Sequence, residues 1–367
     1  MVRGMDKKKL FIVILLVASG VIFQILIQDI PNLFKNKNDG ILIDNTYPND
    51  YVLKQKQFKD LSEITIDNPA GNIFIERSET EINYINAVIT VFHKDKIEAE
   101  KIRNTIIILF EENSNKLKIH PRLKGSFPLN RVRIKYTLKL SDKSLLIVNN
   151  ANGTINASKI KSSIKITNIN GRILLNEIEG KIFVKEAKDN DIVMSDCSNI
   201  IANLVNTTTK ISKTSGNIEL FAKGGKIRIE SIDNTKNIKI DSRHSRVSLS
   251  NIKSNKININ ISYEDIFVNN ISTNNIDFFL KNSNLIIDQI AGINRININA
   301  LDAKIILKKN VNIIPKYIID LNYGEIIGTI NKLNITKKEH SQQMTSHTGK
   351  PKIIIKGEYS DVKLIEK

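Results

Sequence analysis

From about residue 145 the chain repeats one short pattern, apolar-x-apolar-x-x-apolar. Early copies are Ile155-Asn-Ala157-Ser-Lys-Ile160, Ile164-Lys-Ile166-Thr-Asn-Ile169, Ile173-Leu-Leu175-Asn-Glu-Ile178 and Ile182-Phe-Val184-Lys-Glu-Ala187. Ile192-Val-Met194-Ser-Asp-Cys197, Ile227-Arg-Ile229-Glu-Ser-Ile232 and Ile296-Asn-Ile298-Asn-Ala-Leu301 continue it. The first position falls at 155, 164, 173, 182, 192, 201, 211, 218, 227, 238, 247, 257, 266, 276, 285, 296 and 305, mostly nine or ten residues apart.

Alternation inside each unit describes a short strand with one buried face. A unit of this length cannot bury its face alone, so neighbours must stack, which is the logic of a β-solenoid. Two units per turn give coils of about 19 residues and three give about 28. An antiparallel meander or barrel is the structural rival. It calls for recurrent Asn-Gly or Asp-Gly turns, and only Asn152-Gly153 and Asn170-Gly171 qualify.

The pattern differs elsewhere. Residues 10–28 form an uncharged, strongly apolar run preceded by Arg3, Lys7, Lys8 and Lys9. As a helix it would be about 28 Å long, close to the ~30 Å hydrocarbon core of a bilayer. The basic flank then predicts a single-pass inner-membrane anchor, with the N-terminus in the cytoplasm and the bulk beyond the membrane. A cleaved signal peptide ending near Val17-Ala18-Ser19, with secretion, is the alternative.

Residues 29–60 read as a polar spacer, interrupted by Ile41-Leu42-Ile43. Residues 61–150 predict a strand-rich subdomain covering one end of the solenoid. Its strands are 64–66 and 73–75 around Asn68-Pro69-Ala70-Gly71, then 85–92, 106–110, 116–123 and 132–140. One short helix fits 94–104, with Asp95 as its cap. The expected organisation is therefore a cytoplasmic flank (1–9), transmembrane anchor (10–28), stalk (29–60), capping β subdomain (61–150), β-solenoid (151–310) and C-terminal strands with a polar loop (311–367).

Composition sharpens this all-β reading. Among 367 residues there are 68 Ile, 45 Asn and 44 Lys. Ile favours strands and Asn favours turns, and Asn at the corners of stacked units can form hydrogen-bonded rows. One Cys excludes an intramolecular disulfide and a Cys-based zinc cluster. Cys197 falls on an inward position and reads as a small buried hydrophobe.

His93, His120, His244, His340 and His347 are scattered without metal-type spacing, and His340 and His347 lie in a polar loop, 337–350. No phosphate loop, dinucleotide fingerprint or nucleophile elbow occurs, so neither an enzyme nor a cofactor is indicated.

The net charge of +17 is unevenly spread. Residues 116–139 hold eight Lys/Arg and no acid, with basic or titratable residues alternating along 116–124 and again along 131–139. If the two stretches pair as a hairpin, Lys118, His120, Arg122, Lys124, Arg131, Arg133 and Lys135 share one face. Such a face would gain from an anion, since opposed like charges repel. A solvated Lys/Arg face is the competing reading. No reading helix or aromatic-interleaved motif suggests specific nucleic-acid recognition.

The order Ile64-Thr-Ile66-Asp67-Asn68-Pro69-Ala70-Gly71-Asn72-Ile73-Phe74-Ile75, the Glu98-Ala99-Glu100 helix, Val132-Arg-Ile-Lys-Tyr136 and Leu145-Leu-Ile-Val-Asn-Asn-Ala-Asn152-Gly153-Thr-Ile155 resembles the bacterial "putative adhesin" β-strand-repeat family. That family is a domain of unknown function, related to head-domain autotransporter adhesins. The resemblance spans about residues 60–305. It implies a β-solenoid of the cell envelope and an adhesive role, and it supplies no catalytic residue.

The expected function is a non-enzymatic, membrane-anchored envelope scaffold or adhesin-like binding module, with anionic envelope polymers or lipid headgroups as candidate partners. A polymer-forming structural β-helix is the alternative. A polysaccharide-active β-helix enzyme is the third reading, with acids such as Glu177, Glu179, Glu186, Asp189 and Asp191 near neighbouring turns.

Overall fold

Alternating apolar and polar residues turn nearly all of the described chain into β-structure. The computed structural model describes residues 47–366 except 60, 81, 124–130, 142–143, 290–291, 310–314, 329–334, 339, 347–348 and 350. The first strands are β1 (Tyr47–Phe58), β2 (Glu63–Asn68), β3 (Ile73–Arg77) and β4 (Asn83–His93). The helix α1 (Lys96–Asn104) follows, then β5 (Ile106–Asn113), β6 (Lys116–Leu123) and β7 (Val132–Leu140).

Asp95 caps α1 as expected, its carboxylate accepting from the Ile97 N–H at 2.8 Å. Ser114 and Asn115 join β5 to β6, both in the left-handed region (φ 46° and 68°), which is the twist a two-residue hairpin needs.

Next come β8 (Leu145–Asn150), β9 (Gly153–Ile160), β10 (Ile164–Ile178), β11 (Ile182–Cys197), β12 (Ile200–Ser212), β13 (Gly216–Ser262) and β14 (Ile266–Lys281). After them run β15 (Asn284–Asp288), β16 (Ile293–Leu301) and β17 (Lys304–Lys309). These strands pair in parallel, and the long ones contribute to two ladders.

In the first ladder Ile64, Leu146, Ile164, Ile182, Ile200 and Ile218 are successive partners; Ile257, Ile276 and Ile296 follow further along. In the second, Ile73, Ile155, Ile173 and Ile192 stack, and later Val247, Ile266, Leu285 and Ile305. Each of these side chains is buried. At about 1.5–3 kcal/mol per fully buried large aliphatic side chain, the two Ile columns are the main source of stability.

Partners from Leu146 to Ile218 are 18 residues apart, and from Val247 onward 19 or 20. That offset is two sequence units, so consecutive units go to different ladders. The parallel pairing excludes the antiparallel meander for this stretch. One register expectation needs correcting. Ile200 is the inward residue (0% exposed), whereas Ile201, assigned inward from the repeat, is half-buried on the outer side. Two adjacent isoleucines made either choice compatible with the alternation.

Between the ladders each rung turns through one residue in the left-handed region. The column reads Asn170, Asp189, Asn206, Gly224, His244, Tyr263, Asn282 and Asp302, with φ between 50° and 78°. Asn, Asp and Gly tolerate this conformation best. Asparagines also form rows between rungs, as expected: Asn170 Nδ2 donates to Asn152 Oδ1 at 3.5 Å, and Asn270 Nδ2 to Asn251 Oδ1 at 2.7 Å.

The C-terminal strands leave sequence order. They are β18 (Lys316–Asn322), β19 (Ile326–Gly328), β20 (Ile335–Lys338), β21 (Ser341–Thr345), β22 (Lys352–Glu358) and β23 (Asp361–Glu366). β22 lies between β16 and β18, and β23 between β17 and β19, all parallel. β21 runs antiparallel to both β18 and β20. The stretch expected as a polar loop over 337–350 thus contains part of a hairpin, and His340 stacks on Tyr323 with centroids 5.3 Å apart. His347 lies outside the described residues.

Two further expectations change. The proposed spacer over 29–60 contains β1, which pairs antiparallel with β4 from Tyr47↔His93 to Phe58↔Asn83. The membrane placement is overturned. Among the described residues no helix is long and apolar enough to cross a membrane. The helix α1 has nine residues, about 14 Å against the ~30 Å required. Single-pass anchoring with an extracytoplasmic bulk is therefore withdrawn; the apolar run 10–28 that suggested it lies outside the described residues. Residues 44–367 form one compact unit.

Candidate functional site

The basic residues singled out from the sequence do not form one face. β6 and β7 are not partners: β6 pairs with β5 and β2, and β7 with β4 and β3. The reason is electrostatic as well as topological, because β5 and β2 bring carboxylates to β6. Lys118 Nζ is 3.5 Å from Asp67 Oδ2, and His120 Nε2 is 3.2 Å from Glu111 Oε1. The adjacent Lys116 lies 3.4 Å from Glu63. Arg122 is exposed opposite Ile107, and Lys124 lies outside the described residues.

Just before β7, Arg131 is half-buried and its carbonyl accepts from the Phe92 N–H. Arg133 donates through Nη1 to the Val132 carbonyl at 2.9 Å, and Lys135 Nζ lies 5.2 Å from the centre of the Phe74 ring. The structure therefore groups Lys118 with His120 and, separately, Arg131, Arg133 and Lys135.

A different surface stands out on the outer side of the first ladder. There, two rows run across three neighbouring rungs. Asn258, Asp277 and Asn297 are register partners, and so are Asn260, Phe279 and Asn299. Strand alternation turns all six outward, away from Ile259, Phe278 and Ile298, which fill the core. Phe279 is 50% exposed, although it is among the largest apolar side chains of the molecule. Depressions of ≈ 420 Å³ and ≈ 470 Å³ lie on its two sides. The first is lined by Lys239, Asp241, Asn258 and Asn260, the second by Asp277, Arg295, Asn297 and Lys356 among others.

The polar groups around Phe279 hold one another in place. Asn297 Nδ2 donates to Asp277 Oδ1, and Arg295 Nε donates to Asn297 Oδ1 at 2.9 Å. Asn260 Nδ2 donates to Asp241 Oδ1 at 3.4 Å. The result is an apolar ring face set among fixed amides and carboxylates. A ligand with one apolar face and a rim of hydroxyl groups matches it: carbon-bound hydrogens meet the ring, and hydroxyls exchange hydrogen bonds with the side-chain amides. Repeat analysis missed this site because Phe279 occupies an outward position, where the pattern sets no constraint.

Two other titratable groups, Cys197 and Glu230, are structural. Cys197 is buried, which pushes its thiol up to about 11. Burial would raise the Glu230 carboxyl, but hydrogen bonds and charge from Lys210 and Arg228 outweigh it and hold the group below the usual carboxylate range. Among the described residues no group of three or more His, Cys, Asp or Glu side chains is placed to hold a metal ion.

No family model matches the chain, and no curated protein matches it. Solved structures do. One is described as a putative lipid binding protein from Parabacteroides distasonis, at 12% identity over 88% of this chain and 98% of that one, with a TM-score of 0.33. A putative adhesin from Bacteroides fragilis matches at 12% identity over 89% of this chain and 100% of that one, with a TM-score of 0.28. A putative cell adhesion protein from Clostridium sporogenes matches at 11% identity over 88% and 100%, with a TM-score of 0.21.

Proposed function

We propose that the chain is a non-enzymatic, adhesin-like binding module, folded as a β-solenoid, that holds a glycan along the outer face centred on Phe279. The half-exposed Phe279 ring between two asparagine partners carries this reading. An aromatic side chain of this size is costly to leave in water, and no packing need puts it there. On the neighbouring rungs, ~4.8 Å away, outward asparagines flank the ring, so a linear polymer can be followed from one rung to the next.

Phe279→Ala tests the proposal, because an outward substitution leaves the Ile columns intact. Binding of the full chain to an array of neutral and acidic oligosaccharides, followed by calorimetry on the best binder, should fall by on the order of tenfold in the variant. Equal binding by both proteins, or no binder on the array, would remove the glycan reading. The polymer-forming alternative is less well supported, since β21 lies antiparallel along the edge of β18 where a further copy would have to add.

A further inference from the structure

One corner of the molecule concentrates positive charge that the ladder brings together from two distant segments. Lys223-Gly224-Gly225-Lys226 and Arg243-His244-Ser245-Arg246 each sit where a rung passes from the first ladder to the second. Lys239 Nζ reaches Glu219 Oε1, 20 residues away, at 2.6 Å, and lies 5.2 Å from the Phe221 ring centre. That same offset sets Lys223 beside Arg243, Gly224 beside His244 and Lys226 beside Arg246.

Lys223, Lys226, Arg243, His244 and Arg246 are all exposed. Among the described residues, no carboxylate lies within ion-pair distance of Lys223, Lys226, Arg243 or Arg246. This contrasts with Arg228 and Lys239 on the same rungs and Lys210 on the neighbouring one, which all have carboxylate partners. Four cations therefore crowd two rungs ~4.8 Å apart, an arrangement that is unfavourable until an anion joins it.

The backbone of the corner is tightly packed against the preceding rung. A side chain at Gly225 would meet the Thr207 carbonyl oxygen at 2.0 Å, and one at Gly224 the Asn206 Oδ1 at 2.4 Å. The ledge between the two lysines thus stays bare. In the next rungs His244 and Tyr263 replace the Asn or Asp that the left-handed column otherwise favours. Their rings stack at 4.9 Å with planes 13° apart, and the Arg243 guanidinium lies 5.6 Å from the Tyr263 ring centre. On one side the flanking rung offers neutral Asn206 and Thr208; on the other it offers Glu264 and Asp265, of which Asp265 accepts from Asn284 at 2.9 Å.

We infer that Lys223, Lys226, Arg243 and Arg246 form an anion-binding corner that takes tetrahedral oxyanions, sulfate or phosphate, carried on a polymer. The site is separate from the Phe279 face and does not depend on it. Arginine forks suit two oxygens of one oxyanion at a time, while the lysines add point charge on either side of the glycine ledge.

The test uses the full chain with two probes, heparin for sulfate and inorganic polyphosphate for phosphate. The variant Lys223→Gln/Lys226→Gln/Arg243→Gln/Arg246→Gln should lose affinity for at least one probe by on the order of tenfold at low salt. A control with four Gln substitutions, at Lys118, Arg122, Arg131 and Arg133, should retain binding. Far-ultraviolet circular dichroism of each variant verifies that the β-structure is kept. Unchanged binding by the corner variant, equal loss in the control, or no binding of either probe by the parent chain would overturn the inference. The probe that responds identifies the oxyanion.

Discussion

Gly171 lies against Gly153 so closely that a side-chain carbon on it would sit 1.9 Å from the Gly153 carbonyl oxygen. The two glycines are register partners, Gly171 on β10 and Gly153 on β9, at the turn into the second ladder. Real carbon–oxygen contacts do not approach that distance, so the stacking of these rungs requires glycine here. Gly171→Ala should cost about 1–3 kcal/mol, the range for forced overpacking. A lower urea midpoint with an unchanged slope would register it; an unchanged midpoint would mean that the rungs are spaced differently.

The assignment of Ile200 rather than Ile201 to the core makes a sharper prediction. Ile200 is 0% exposed and stands between Ile182 and Ile218. Its replacement by Ala should destabilise the chain by about 2–5 kcal/mol, and Ile201→Ala by well under half as much. Equal effects in chemical denaturation, or the reverse order, would shift β12 by one residue and turn every side chain on it over.

This pair marks where sequence legibility ends. Positions such as Ile164, Ile182, Ile227 and Ile266 could be read as inward because each begins an apolar-x-apolar unit bounded by polar residues. Ser198-Asn199-Ile200-Ile201 offers two starting points, and only partners 18 residues away decide between them. A similar offset hides the basic corner. Charge continuous along the chain points instead to 116–139, where β5 and β2 bring carboxylates to β6. Lys223 and Arg243 look unremarkable until a 20-residue offset is applied. β1 escaped notice because Tyr47–Phe58 alternates weakly, and its pairing with β4 is a long-range choice.

Cys197 gives a pH-dependent prediction. Its thiol stands at about 11 in the folded chain, raised by burial from an ordinary value of 9.0. A raised value favours the protonated fold, so this contribution to stability is complete below pH 9. It is lost as pH climbs from 9 towards 11. A thiol-reactive dye at pH 8 should leave the native chain unlabelled and label one equivalent after denaturation. Rapid native labelling would show that the sulfur is reachable from solvent. Cys197→Ala should flatten the loss of stability above pH 9 relative to the parent.

The last rung shows how much one late segment can hold together. β22 and β23 come last in the described chain, yet they lie between β16/β17 and β18/β19, which precede them. Ile353, Ile355, Val362 and Leu364 are each 0% exposed. Together they bury about 6–12 kcal/mol of apolar side chain, as an upper estimate. Removing residues 351–367 strips β16, β17, β18 and β19 of a parallel partner each, so the loss should not stay confined to the deleted strands. Limited proteolysis should then cut between 310 and 346 while fragments spanning 145–290 persist, because the rungs there keep both neighbours. Ile355→Ala, a milder lesion, should cost about 2–5 kcal/mol and open the same region first by hydrogen exchange. A truncated chain as resistant over 310–346 as the parent would mean that β18 can close directly onto β16, with the final rung dispensable.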